Sequence, residues 1–194
     1  MAVARPQAFL DEVLSAGVRL VQYRAKRGVD RRVLHALVVR CRASGATLIV
    51  NDDVEAAVDI GADGVHLGQE DLAGCDVADV RRALGGRLLG MSCGTPDEAR
   101  GAEAAGADYV GCGPFAATGS KADAGAPIGA AGVRAVVRAT SLPVAAIGGI
   151  DLAALDDVAR SGARMAAVIS ALARASDVRT AAGALVARWH EVAH

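Results

Sequence analysis

Aromatic side chains are scarce in this 194-residue sequence, which has two phenylalanines, two tyrosines and one tryptophan. That is too few for a base-stacking surface, and 21 Lys plus Arg against 22 Asp plus Glu leave no broad positive field to hold a polyanion. Nucleic acid is therefore not an expected partner. Although 53 % of the residues are hydrophobic, charges interrupt every apolar run before it reaches bilayer length, so no membrane association is expected. The four cysteines, Cys41, Cys75, Cys93 and Cys112, form no C-x-x-C pair. This argues against a zinc knuckle, a dithiol redox motif or a disulfide framework and leaves buried or spectator thiols. The opening MAVARPQAFLDEV lacks the basic stretch, apolar core and cleavage site of a secretory signal, so the expected location is cytoplasmic.

What is present is alternation. Seven short β-rich runs, 18–24, 47–52, 64–68, 88–92, 107–113, 143–148 and 164–170, alternate with helical segments at 7–16, 30–43, 54–60, 77–84, 96–105, 130–140, 152–161 and 178–193. Strand and helix in strict turn predict βα units on a parallel sheet. The expected fold is a single α/β domain over 1–194, a (β/α)8 TIM barrel. Such barrels open on a strand, whereas here the first helix begins almost at Met1. The first strand is thus expected to be missing, reduced to a stub at Ala2–Arg5, upstream of this start, or replaced by a neighbour covering the edge. An uncovered edge invites another chain, which makes a homodimer an expectation.

Two kinds of residue punctuate the alternation. Ser44-Gly45-Ala46 and the repeated Gly-Ala-Asp at 61–63 and 106–108 follow helices, where glycine suits a left-handed cap. Thr95 before Pro96-Asp97-Glu98 reads as an N-cap. These are structural marks rather than sites.

In a parallel barrel, side chains at the C-terminal ends of the strands converge on one rim. The first strand ends Gln22-Tyr23-Arg24-Ala25-Lys26, and a period of two points Gln22, Arg24 and, if the strand continues, Lys26 the same way. Two cations beside an amide suit an anion joined to a hydrogen-bonding heterocycle. The next two strands end in Asn51-Asp52-Asp53 and Gly68-Gln69-Glu70-Asp71. Hard carboxylates facing phosphate select Mg²⁺, with water and substrate oxygens completing its shell, and Asp52 and Asp71 are the candidate ligands. Asp53 reads as the cap of the following helix, and His66, inside a strand, as a satisfied barrel histidine. Further on, the loop Gly113-Pro114-Phe115-Ala116-Ala117-Thr118-Gly119-Ser120-Lys121 offers hydroxyls and a lysine to phosphate. Gly148-Gly149 and Ile169-Ser170 offer backbone N–H groups at a second anion site.

In order along nearly the whole chain, QYRAK (22–26), VNDD (50–53), GVHLGQED (64–71), GMS (90–92), GPFAATGSK (113–121), AIGGI (146–150) and VISA (168–171) closely resemble the thiamine-phosphate synthase family. The resemblance implies an enzyme, a transferase of thiamine biosynthesis. It would join hydroxymethylpyrimidine diphosphate to hydroxyethylthiazole phosphate, giving thiamine phosphate and pyrophosphate. It further implies that Gln22, Arg24, Lys26, Asn51, Ser92 and Lys121 contact the pyrimidine diphosphate, with Arg24, Lys26 and Lys121 stabilising the leaving group. Asp52 and Asp71 would hold Mg²⁺, and Thr118, Ser120, Gly149, Ile169 and Ser170 would cradle the thiazole phosphate. The sequence departs from the family pattern at Ala25, where glutamate is usual, and at Cys93-Gly94. The rival readings are a thiazole tautomerase-like isomerase and a non-catalytic phosphate-ligand-binding barrel.

Overall fold

The computed structural model describes residues 5–25, 28–119 and 125–193. Seven parallel strands form one sheet in sequence order: β1 (Leu20–Tyr23), β2 (Thr47–Asn51), β3 (Gly64–Leu67), β4 (Leu88–Cys93), β5 (Tyr109–Cys112), β6 (Val144–Ile147) and β7 (Met165–Ala167). The helices are α1 (Pro6–Ser15), α2 (Arg31–Ala43), α3 (Val54–Ile60), α4 (Gln69–Ala73), α5 (Val77–Leu84), α6 (Pro96–Ala104), α7 (Gly129–Val137), α8 (Leu155–Arg160), α9 (Ser170–Ala173) and α10 (Val178–Val192). The α/β class and the seven strand positions agree with the sequence reading, and among the described residues the sheet is barrel-like but open. β1 and β7 each have one hydrogen-bonded neighbour. Residues 2–4 of the proposed stub lie outside the described residues.

Alternation along the strands separates two faces. Leu48, Val50, Val65, Leu67, Leu89, Met91, Cys93, Val110, Cys112, Val144 and Ala146 are buried in a continuous apolar core with the helices, joined there by Leu34, Leu37, Val133, Val136, Leu155 and Val158. Cys93 and Cys112 are register partners within it. Together with buried Cys41 and exposed Cys75 they are free thiols, as spectator cysteines should be. The opposite face carries Gln22, Ile49, Asn51, His66, Gly90, Ser92, Tyr109 and Gly111. Register aligns Asn51 with His66, His66 with Gly90, and Gly90 with Tyr109.

Several boundaries differ from expectation for local reasons. Residues 69–73 form a short helix because the Asp71 carboxylate turns back to accept the Gly68 N–H at 3.0 Å. β7 stops at Ala167, and Ser170 already begins α9. α8 starts at Leu155, three residues later than expected, after an Asp151 turn in which the Ala154 N–H bonds the Asp151 carboxylate at 3.1 Å. The punctuation marks hold: Gly45, Gly61 and Gly106 have φ of 63, 77 and 83°. Thr95 caps α6 with a reciprocal Glu98 bond, and Asp53 caps α3.

Candidate functional site

The strand ends of β1, β2 and β3 bring three charged groups together. Asp52 directly follows β2 and adopts φ 68°, the one non-glycine residue in the left-handed region among the described residues. Aspartate tolerates that region better than most residues. Its N–H is fixed to the His66 carbonyl at 2.9 Å, and its carboxyl meets that of Asp71, with which it shares a hydrogen bond. Burial, then the hydrogen bond and charge of Asp71, push Asp52 up to about 6, while Arg24 and the Gly68 N–H pull it down. Two carboxylates that share a proton when they could share a cation have the character of a hard-metal site.

The donor set fits Mg²⁺ in a specific sense. No cluster of three or more His, Cys, Asp or Glu side chains suited to a metal occurs among the described residues. An ion at this pair would therefore take most of its oxygens from water and a phosphorylated ligand, as Mg²⁺ usually does. Arg24, just past β1, is close enough to Asp52 to act on its charge.

Beside this corner the inner face holds a line of polar side chains. Gln22 acts on the Tyr109 hydroxyl as a hydrogen-bonding neighbour that favours its charged form. Tyr109 Oη lies 3.1 Å from His66 Nδ1, and His66 Nε2 lies 3.0 Å from Ser92 Oγ. Gln69, the first residue of α4, donates its side-chain amide to the Ser92 carbonyl. Burial lowers His66 to about 4 and pushes the Tyr109 phenol up. His66 is thus the satisfied barrel histidine that its strand position suggests, yet its partners are rim residues. Asn51 lies on β2 beside it in register.

The loops after β5 and β6 are zipped together, the Phe115 N–H bonding the Ile147 carbonyl at 2.8 Å and the Ala116 N–H the Gly148 carbonyl at 2.9 Å. Gly149 has φ 68°, and a Cβ there would stand 2.7 Å from the Ala116 carbonyl oxygen. Its glycine is therefore needed for packing, whatever its N–H contacts. This zipper sets the start of the Thr118 loop beside Gly149. Ile169, 41 % exposed, and Ser170 follow β7, the strand next to β6. Lys26, Ser120 and Lys121 lie outside the described residues.

Gln69 and Tyr109 are site residues without a role in the sequence reading, which gives His66 a structural role alone. The signal for Gln69 is its place just after a strand end, beside the acids Glu70 and Asp71.

Comparison with known proteins gives a consistent picture. The family model described as "Thiamine monophosphate synthase" matches residues 3–172. The bifunctional thiamine biosynthesis protein ThiM/ThiE of Symbiobacterium thermophilum is 48 % identical over 187 residues, which cover 94 % of this chain and only 38 % of that longer relative. The thiamine-phosphate synthase of Chloroflexus aurantiacus is 45 % identical over 91 % of this chain and 82 % of its own length. Among solved structures, thiamine phosphate pyrophosphorylase from Pyrococcus furiosus superposes with a TM-score of 0.88 at 33 % identity, covering 98 % of this chain and 92 % of that one.

Proposed function

Because the chain belongs to the thiamine monophosphate synthase family, we propose that its rim joins hydroxymethylpyrimidine diphosphate to hydroxyethylthiazole phosphate with loss of pyrophosphate. The observation that carries this assignment of the site is the meeting of the Asp52 and Asp71 carboxyls beside Arg24. In this reading Asp52 and Asp71 would hold Mg²⁺, which would supply positive charge to the departing diphosphate. Arg24, Lys26 and Lys121 bind the same group, and their charge favours its leaving. Gln22, Asn51 and Ser92 orient the pyrimidine so that its methylene carbon faces the thiazole nitrogen. Thr118, Ser120, Gly149, Ile169 and Ser170 would hold the thiazole phosphate. The C–O bond to the diphosphate breaks, the electron pair leaves with pyrophosphate, and the thiazole nitrogen lone pair forms the new C–N bond. No protein nucleophile is needed.

We place the chain in the (β/α)8 architecture, with no strand before β1 among the described residues, in a cytoplasmic setting, with self-association through the open edge. No described helix is long and apolar enough to cross a membrane. The test of function is product identity: the purified chain, both substrates and Mg²⁺ should yield thiamine phosphate, resolved by chromatography, and omission of either substrate should abolish it. Isomerisation of the thiazole without coupling, or binding without product, would overturn the assignment.

A further inference from the structure

A chain of side-chain hydrogen bonds crosses the inner face from one rim residue to another. It runs from Gln22 to the Tyr109 hydroxyl, from Tyr109 to His66 Nδ1 and from His66 Nε2 to Ser92 Oγ. The two middle groups are sealed, His66 at 8 % and Tyr109 at 9 % exposure, while Gln22 and Ser92 remain open to the mouth. Two glycines make the slot: a Cβ on Gly90 would stand 2.1 Å from Tyr109 Cζ, and one on Gly111 2.9 Å from His66 Cε1. If filling space were the only need, apolar rings would serve without the cost of burying a phenol and an imidazole.

The relay has a direction. A neutral imidazole offers one donor and one acceptor nitrogen, so it transmits polarity from one partner to the other. Gln22 acts on the Tyr109 hydroxyl in the sense of a donor to its oxygen; a phenol so placed would turn its own proton to His66 Nδ1, 3.1 Å away. An imidazole that accepts there would carry its proton on Nε2 and donate it to Ser92 Oγ, 3.0 Å away, which would turn the Ser92 proton outward. We propose that Tyr109 and His66 are positioning residues whose one-way relay makes Ser92 a donor and leaves Gln22 Oε1 an acceptor. The mouth thereby selects a ring with an acceptor nitrogen next to an exocyclic amine. This deepens the function proposed above and rests on it, since a pyrimidine is the ring those two residues would face. A relay of the opposite sense would favour a ring with a carbonyl and an N–H in those places.

Two measurements on the full chain test the relay. Nitrogen NMR of ¹⁵N-histidine protein, with the His66 signals assigned by their loss in His66→Gln, should show the Nε2-protonated tautomer; the Nδ1-protonated tautomer would overturn the proposal. In kinetics with Mg²⁺ and thiazole phosphate, wild type should prefer the 4-aminopyrimidine diphosphate over its 4-oxo counterpart by roughly a hundredfold or more in kcat/KM. His66→Phe should shrink that preference about tenfold or more, acting on KM for the pyrimidine and leaving KM for the thiazole phosphate unmoved. His66→Gln, which can accept and donate at the same two places, should recover most of the preference. Should His66→Phe fail to fold, Tyr109→Phe removes the relay's proton while keeping its ring, and the same loss of preference is expected. Turnover with an unchanged ring preference in whichever of these variants folds, or with both KM values raised equally, overturns the relay alone. A wild type that makes no product with either ring overturns the synthase reading and the relay with it.

Discussion

At the scale of single residues, the site is organised by positions that only certain side chains can occupy. Asp52 sits at φ 68° with its N–H tied to the His66 carbonyl, so its carboxyl is delivered to Asp71 by backbone geometry. Asp52→Asn keeps the shape and removes the charge. The expected result is a loss in kcat on the order of 10²-fold or more, with thiazole phosphate binding retained, read by steady-state assay and calorimetry. Gly90→Ala would drive a methyl into the Tyr109 ring, which has no open side. It should cost about 1–3 kcal/mol by denaturant unfolding, and an unperturbed midpoint would contradict the packing described here. The two halves of this site differed in how well they could be read from sequence. Arg24, Asp52 and Asp71 were visible because strand periodicity and strand-end position are local features. The link from His66 to Tyr109 spans 43 residues and exists only once β3, β4 and β5 are in register, so no local pattern announces it. Nor does the sequence say that Gly90 and Gly111 are there to admit rings from neighbouring strands.

At the scale of elements, acids at the two ends of the sheet do different work. Asp63 and Asp108, in the repeated Gly-Ala-Asp, accept the N–H groups of Leu48 and Leu89, each at 2.7 Å, and so pin the N-terminal ends of neighbouring strands. Asp108 also pairs with Arg81 at 2.8 Å. Asp108→Ala should therefore destabilise the fold by about 1–2 kcal/mol with kcat and KM for both substrates unchanged, the inverse of the outcome for Asp52→Asn. A loss of turnover without a loss of stability would reverse these assignments. The identical tripeptides were legible as helix exits because glycine reports its own backbone need. The pinning role of their acids was not, since it depends on which strand lies alongside. Short elements were the hardest to foresee. α4 and α9 span five and four residues, too few to show helical periodicity, and they arise from how the chain leaves a strand.

For the whole molecule, two groups on the inner face pull the pH dependence of stability in opposite directions. His66 is lowered to about 4 by burial, so the unfolded chain takes its proton first, and stability present above about 6.5 is lost as pH falls towards 4. Asp52 is raised to about 6, so the folded chain takes that proton first. Its contribution is fully present below the ordinary aspartate value and disappears as pH rises through 6. The two partly cancel between pH 4 and 6. Asp52→Asn removes the second, so its stability should fall more steeply than wild type's over that window, by on the order of 1 kcal/mol after solvent screening. Denaturant midpoints at pH 7, 5.5 and 4 check this, and parallel profiles would contradict it.

The same pair of acids links stability to function across the molecule, because below about pH 6 an ion at these carboxylates competes with the proton on Asp52. The most direct measurement is a Mg²⁺ titration of pyrophosphate release at pH 7.5 with both substrates saturating, for wild type and Asp71→Asn. Release by wild type that saturates with Mg²⁺, is abolished by chelation and is lost on the order of 10²-fold in the variant is the predicted result. Release that proceeds equally in chelator, or equally in Asp71→Asn, would contradict the claim that this rim grips a magnesium-bound diphosphate.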